Sequence, residues 1–326
     1  MHGIGDPARP DPLAGLVGGS PALGLRRELR AIAAADSTLL VTGETGTGKG
    51  LVARLVHEAS RRARGPFVHV DCAALAPTII ESELFGHERG AFTGAELARD
   101  GRLATAAGGT LFLDEVGELE ARLQAKLLRA LQDRAFERVG GSRTLAMNAR
   151  IVAATNRNLR AAVADGSFRA DLYHRLRVLE LRLPPLRERP EDIPALVDHG
   201  LREAARRLGR AAPPTTECFA GALAAHVWPG NVRELLNLLE RLLVRHPGAT
   251  LDAGLLAAEL DPWPDAAPAT SAAVRDAGGG EESQIARALI ETGGNVARAA
   301  RRLGLPRGTL RHRIERFGLR HLIPRD

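Results

Sequence analysis

The chain has 326 residues, 44% of them apolar and 26% charged, enough for two or three compact units with ordinary cores. Its formal charge of +6 points to a polyanionic partner where the excess clusters. Two distant cysteines, Cys72 and Cys218, argue against a disulfide framework or zinc site and fit a reducing cytoplasm. The polar opening "MHGIGDPARPDPLAG" is no signal peptide, and no apolar run approaches the ~18 residues of a membrane span.

Residues 1–16 read as a disordered tail. From 17 to 185, short β-rich runs alternate with longer helical ones. "TLLVTG" (38–43), "FVHVD" (67–71), "TLFLDE" (110–115), "RIVAATN" (150–156) and "VLELRL" (178–183) read as strands. "GLVARLVHEASRRA" and "ARLQAKLLRALQDR" read as helices, the second with Leu123, Leu127, Leu128 and Leu131 at helical spacing. That alternation predicts an α/β unit, a parallel sheet covered on both faces. Residues 186–260 carry only helical patterns, punctuated by "WPGN" and "HPGAT", and form a second, all-helical unit. A Pro-, Ala- and Gly-rich stretch (261–280) reads as a flexible linker, and 281–326 is helical and basic.

The loop "GETGTGKG" follows the first strand and opens a helix, which is the setting a phosphate-binding loop needs. Gly43, Glu44, Thr45, Gly46, Thr47, Gly48, Lys49 and Gly50, with Leu51 beginning the helix, are the expected nucleotide-binding residues. Their backbone N–H groups and the helix N-terminus suit phosphate oxygens, and Lys49 adds a point charge. Gly50 stands where a hydroxyl usually ligates Mg²⁺, so the ion must rely on phosphates, water and a carboxylate elsewhere. The strand "TLFLDEV" supplies one. Asp114 is expected to hold hydrated Mg²⁺ and Glu115 to orient the attacking water. Asn156, at the end of another strand, is placed to sense a γ-phosphate.

These residues, with "ESELFGHERGAFTGA", "GGTLFLDEV", "RVGG", "FRADLYHRL", "PPLRERPEDI" and "WPGNVREL" in this order, resemble the AAA+ transcription activators of sigma-54 RNA polymerase, also called bacterial enhancer-binding proteins. The resemblance implies an AAA+ P-loop NTPase with a helical lid subdomain (186–260), using ATP and Mg²⁺. It implies that Gly90, Ala91, Phe92, Thr93, Gly94 and Ala95 form a surface-loop tip contacting sigma-54, against the alternative of Phe92 folded on its own core. Residues 134–141 match a second loop that moves with the first. Arg169 and Arg175 match candidate arginine fingers acting on a neighbouring subunit's nucleotide, or else interface salt bridges, and a ring, usually a hexamer, follows, with a dimer when inactive. Arg233 matches a lid arginine that reads nucleotide.

Two positions depart from the family. Gly50 replaces an acidic residue, and glycine in the first helical turn costs up to about 1 kcal/mol relative to alanine. Asp71 replaces an asparagine thought to hold the catalytic glutamate aside; a carboxylate cannot donate that hydrogen bond while both groups are ionised.

In the tail, Ala299, Ala300 and Leu303 give one helix an apolar face, and Leu310, Ile314 and Phe317 give the next its own, with Gly304 and Pro306 at the turn. Arg307, Thr309, Arg311, His312, Arg313 and Arg316 cover the rest of that second helix. A helix-turn-helix with a basic second helix fits major-groove recognition of double-stranded DNA, and it resembles Fis-like domains. The expected function is an ATPase that binds enhancer DNA and remodels the sigma-54 RNA polymerase closed complex into an open one. The alternatives are a DNA-binding regulator with impaired ATPase and an AAA+ remodeller of another client. With the ATPase beginning near residue 17, control is expected from a separate regulatory protein, from expression level or from a piece absent from this chain.

Overall fold

Along the central strands successive side chains point to opposite faces, so a strand covered on both sides is apolar at most positions. The computed structural model, which describes residues 11–18, 20–74, 77–92, 95–260, 295–303 and single positions from 285 to 319, follows that rule. Strands β1 (Leu39–Thr42), β2 (Phe67–Asp71), β5 (Thr110–Asp114), β8 (Arg150–Thr155) and β9 (Leu179–Arg182) form one sheet, in the order β2-β5-β8-β1-β9. All its neighbours are parallel. The central β8 is buried throughout, while edge strands β2 and β9 alternate.

Each face has its own core. Leu40, Leu111, Leu113, Ile151 and Ala153 meet helices α5 (Ala121–Asp133) and α7 (Ala170–Leu176) on one side. Leu39, Val41, Phe112, Val152 and Ala154 meet α1 (Ser20–Ala34) and α2 (Lys49–Glu58) on the other. Leu123, Leu127, Leu128 and Leu131 are all buried, as their spacing requires. At the start of β8, Arg150 is 2% exposed, and its guanidinium donates to the carbonyls of Ile32, Ala33 and Ser37, closing the C-terminal end of α1.

Two features differ from the sequence expectation. The ordered chain begins before residue 17: Asp11 caps a 3-10 turn, Pro12–Gly15, and Leu13 and Leu16 are buried in the α2 side of the core. Two apolar side chains among prolines and glycines were too sparse a pattern to read as structure. The chain also forms two small antiparallel hairpins, β3 (Gly86–His87) with β4 (Arg99–Asp100) and β6 (Ala135–Glu137) with β7 (Thr144–Ala146). Strands of two or three residues carry no readable alternation.

Helices α8 (Ile193–Arg207), α9 (Glu217–Ala225), α10 (Asn231–Arg245) and α11 (Ala253–Glu259) surround a third core. At its centre Trp228 is fully buried, with its indole N–H on the Leu223 carbonyl at 2.9 Å. The chain divides into two compact units, Met1–Asp261 and Pro262–Asp326. In the second, helix α12 (Val296–Arg302) contributes Ala299 and Ala300 to a cluster with Ile285, Leu289, Leu310, Ile314 and Leu319. Among the described residues no helix is long and apolar enough to cross a membrane.

Candidate functional site

The C-terminal ends of β1, β5 and β8 lie side by side, and in open parallel sheets such ends form the ligand crevice. The loop leaving β1 turns on Gly43, Gly46 and Gly48, at φ 158°, 82° and 104°. At Gly46 and Gly48 these are values that favour glycine. Lys49 is 7% exposed, and its ammonium donates to the carbonyls of Gly43 (3.0 Å) and Glu44 (3.3 Å). Nζ also lies 3.3 Å from Glu115 Oε1. Thr47 Oγ1 donates to the Glu44 carbonyl at 2.8 Å. A Cβ on Gly50 would meet only Phe112 Cε1, at 3.8 Å, an ordinary contact, so a side chain could be accommodated there without a clash.

Glu115 follows β5 in the left-handed region, φ 51° and ψ 48°, a conformation that costs a non-glycine residue on the order of 1 kcal/mol. Its carboxylate is held from two sides: Lys49 at one oxygen, and the backbone N–H of Asn156 at the other, 2.9 Å away. The Asn156 amide donates onward to Thr45 Oγ1 at 3.0 Å. Three segments remote in sequence thus converge within hydrogen-bond reach. Burial, then the Glu115 charge, raises the carboxyl pKa of Asp114, while His69 and Lys49 oppose the shift. The His69 ring stacks on Phe112 with centroids 5.0 Å apart, and its Nε2 lies 3.6 Å from Asp114 Oδ2. Asp71 sits opposite Asp114 in the β2–β5 register, and its side chain accepts from Ala73 N–H at 2.9 Å, closing its own turn. The adjacent Cys72 thiol is pushed up to about 12, first by burial and then by the three nearby carboxylates.

The helical subdomain approaches the loop from outside. The backbone N–H of Arg233 donates to the Gly46 carbonyl at 3.3 Å, and the side chain is exposed. Arg187 pairs with both oxygens of Glu44, at 2.6 and 2.8 Å, holding that carboxyl below its usual range. Arg189 donates to the Thr47 carbonyl at 3.0 Å. Asn231, fully buried, donates to Glu44 Oε2 and the Thr45 carbonyl and accepts from Leu186 N–H. Between loop and lid lies a cavity of about 120 Å³, lined by Leu16, Val17, Leu51, Leu196, Val232 and Leu236 among others. Sequence reading missed Arg187, Arg189 and Asn231; their only signal was their place inside motifs quoted for other reasons.

Phe92 is 47% exposed at the tip leading from the first hairpin, its ring edge against His87 at 5.0 Å. Gly90 N–H donates to the Ala95 carbonyl at 2.8 Å, Ala95 N–H to the Phe92 carbonyl at 3.0 Å, and Ala91 N–H to the Glu88 carbonyl at 3.2 Å. Thr93 and Gly94 lie outside the described residues. The second hairpin clasps the first: Glu88 N–H and Val139 N–H donate to the Val139 and Gly86 carbonyls at 3.0 and 2.9 Å. Arg138 bridges Glu88 (2.7 Å) and Asp100 (2.6 Å). Arg169 is exposed and paired with Asp171 at 2.7 Å, and Arg175 donates to the Leu131 carbonyl at 2.9 Å. Arg307, Thr309, Arg311, His312, Arg313, Arg316 and Phe317 lie outside the described residues.

Comparison with known proteins agrees with this arrangement. Residues 17–182 match the sigma-54 interaction domain family. Residues 187–273 match the AAA+ ATPase lid domain and 281–317 the bacterial regulatory proteins of the Fis family. The ZraR transcriptional regulatory protein of Klebsiella oxytoca is 45% identical over 93% of this chain and 69% of its own length. This chain belongs to the sigma-54-dependent AAA+ transcriptional activators. The Nif-specific regulatory protein of Azotobacter vinelandii is 47% identical over 90% of the activator chain, which spans 56% of that protein. A crystal structure of NtrX from Brucella abortus in complex with ADP is 36% identical, with a TM-score of 0.70 over 93% of this activator and 70% of NtrX. A second NtrX structure is in complex with ATP.

Proposed function

We propose that this activator hydrolyses ATP in an oligomeric ring and uses the cycle to remodel the sigma-54 RNA polymerase closed complex into an open one, from enhancer DNA held by its C-terminal unit. The observation that carries the proposal is the convergence of Lys49, Glu115 and Asn156 at the phosphate loop, in a chain whose sigma-54 interaction domain is matched over residues 17–182. Lys49, released from the loop carbonyls it now donates to, neutralises phosphate charge. Glu115 accepts the proton of an attacking water that Asn156 helps to align. The Asp114 carboxylate, raised by burial and then by the second acid beside it, fits a hard divalent cation. Mg²⁺ arriving with the nucleotide would supply phosphate-charge stabilisation there.

The apolar cavity beside the loop accommodates the base, and Arg233 reports nucleotide from the lid. Arg169 and Arg175 act across a subunit boundary, making turnover depend on a ring, a hexamer in this reading, that assembles from inactive dimers. The run from Gly90 to Ala95, with Phe92 and Thr93 at its centre, meets sigma-54. Arg307, Thr309, Arg311, His312, Arg313 and Arg316 meet DNA. The protein works in the cytoplasm. Glu115→Gln tests the chemistry: nucleotide binding is expected to persist while turnover falls by about 10²-fold or more. Near-normal hydrolysis in that variant would remove Glu115 from the catalytic role.

A further inference from the structure

Four consecutive residues of the phosphate loop, Glu44 to Thr47, are held by the helical subdomain and the segment leading into it, and one buried side chain reaches two of them. Asn231 opens α10 at φ 56°, a left-handed value that asparagine tolerates better than most residues. Its side chain is 0% exposed. The amide nitrogen donates to Glu44 Oε2 (3.2 Å), the Thr45 carbonyl (3.0 Å) and the Pro229 carbonyl (3.4 Å). The amide oxygen accepts from Leu186 N–H at 2.8 Å. One planar group therefore spans the phosphate loop, the connection out of the sheet and the start of a lid helix. Around it Gly46 admits no side chain, since a Cβ there would fall 2.2 Å from the Gly230 carbonyl.

We propose that Asn231 is a positioning residue for the ATPase reaction: it presets the phosphate loop through Glu44 and Thr45 and makes the loop's shape depend on the lid. Its polarity is what matters. The nitrogen faces acceptors only, a carboxylate and two carbonyls, while the oxygen faces a donor, so only a group offering both in that order fits. Glu44 cannot supply the donor itself, because its carboxylate, held below its usual range first by Arg187, only accepts. Asn231 touches no reacting atom in this scheme. It acts by holding the backbone that does, so its loss should weaken nucleotide binding more than the chemical step. The inference rests on the nucleotide-site reading given above.

The test is the ATPase of the full chain with Asn231→Asp, alone and combined with Glu44→Gln. The single change is nearly isosteric and puts a carboxylate at a helix start, where it favours the helix. It also turns the donor that position 231 presents to Glu44 Oε2 and the Thr45 carbonyl into an acceptor. KM for ATP is expected to rise about 10-fold, the scale of a buried group left against the wrong partner, with kcat changed less. In the double variant the new amide at position 44 can donate to the new carboxylate at position 231, and most of the KM loss should return. A purely structural defect would not be relieved by a second substitution that also breaks the Arg187 pair. Asn231→Gly, which the positive φ accepts, should give the same KM rise should the aspartate variant not fold. Active wild-type protein with KM unchanged in Asn231→Asp and Asn231→Gly, or a double variant no better than the single, would overturn the inference. Failure of the wild-type chain to bind ATP would instead overturn the nucleotide-site reading itself.

Discussion

Asp114 shows how a candidate site residue opposes the fold that holds it. Its carboxyl is raised by burial first and by Glu115 second. A folded-state value above the unfolded 3.8 means a contribution that stabilises below the unfolded pKa and is lost as pH rises through the folded one. At neutral pH the ionised group therefore works against folding. Asp114→Asn should raise Tm at neutral pH without nucleotide, with the gain shrinking toward about pH 3, where both states bind the proton. A lower Tm at neutral pH would show that Asp114 is not destabilised by its surroundings. Residues of this kind were legible in the sequence because Asp114 ends β5 and Glu115 follows it, Asn156 follows β8, and Lys49 closes the glycine loop between β1 and α2. Asn231 was not, since its bond to Glu44 joins positions 187 apart and no local pattern marks such a contact.

At the scale of elements, the five sheet strands and the leucine-striped α5 follow directly from apolar runs and helical spacing. The two small hairpins do not, being held by each other rather than by their own pattern. Their clasp predicts coupled movement. Gly140 adopts φ 74°, and a Cβ there would lie 2.8 Å from the Cβ of Ala91, one residue before Phe92. Gly140→Val combines a strained backbone with that collision, so it should displace the tip while leaving the sheet and phosphate loop intact. ATPase activity is expected to stay within about threefold, since the added side chain touches no residue of the nucleotide site. Sigma-54 binding is expected to be lost. Equal loss of both would place the second hairpin in the nucleotide machinery, and retention of both would remove the clasp from function.

For the molecule as a whole, charge and composition bounded the class, and ordered motifs resolved it to a family. The two departures, Gly50 and Asp71, sit in that frame as local changes: one stands where a side chain could be accommodated without a clash, and the other turns its carboxylate onto its own backbone. Neither removes Lys49, Asp114, Glu115 or Asn156 from the site. In the C-terminal unit the buried Leu310 and Ile314 agree with the apolar face read from sequence, and the proposed DNA binding through its arginines should weaken steeply with salt, as counterion release requires. An affinity unchanged between about 50 and 200 mM salt would argue against phosphate contacts. The most direct test of the central claim is binding of the purified protein to sigma-54, with and without an ADP–metal fluoride mimic of the hydrolysis transition state. A complex that forms only with the mimic is the expected result, because in the proposed cycle the nucleotide state presents Phe92. No complex despite robust ATP turnover, or equal binding without nucleotide, would contradict it.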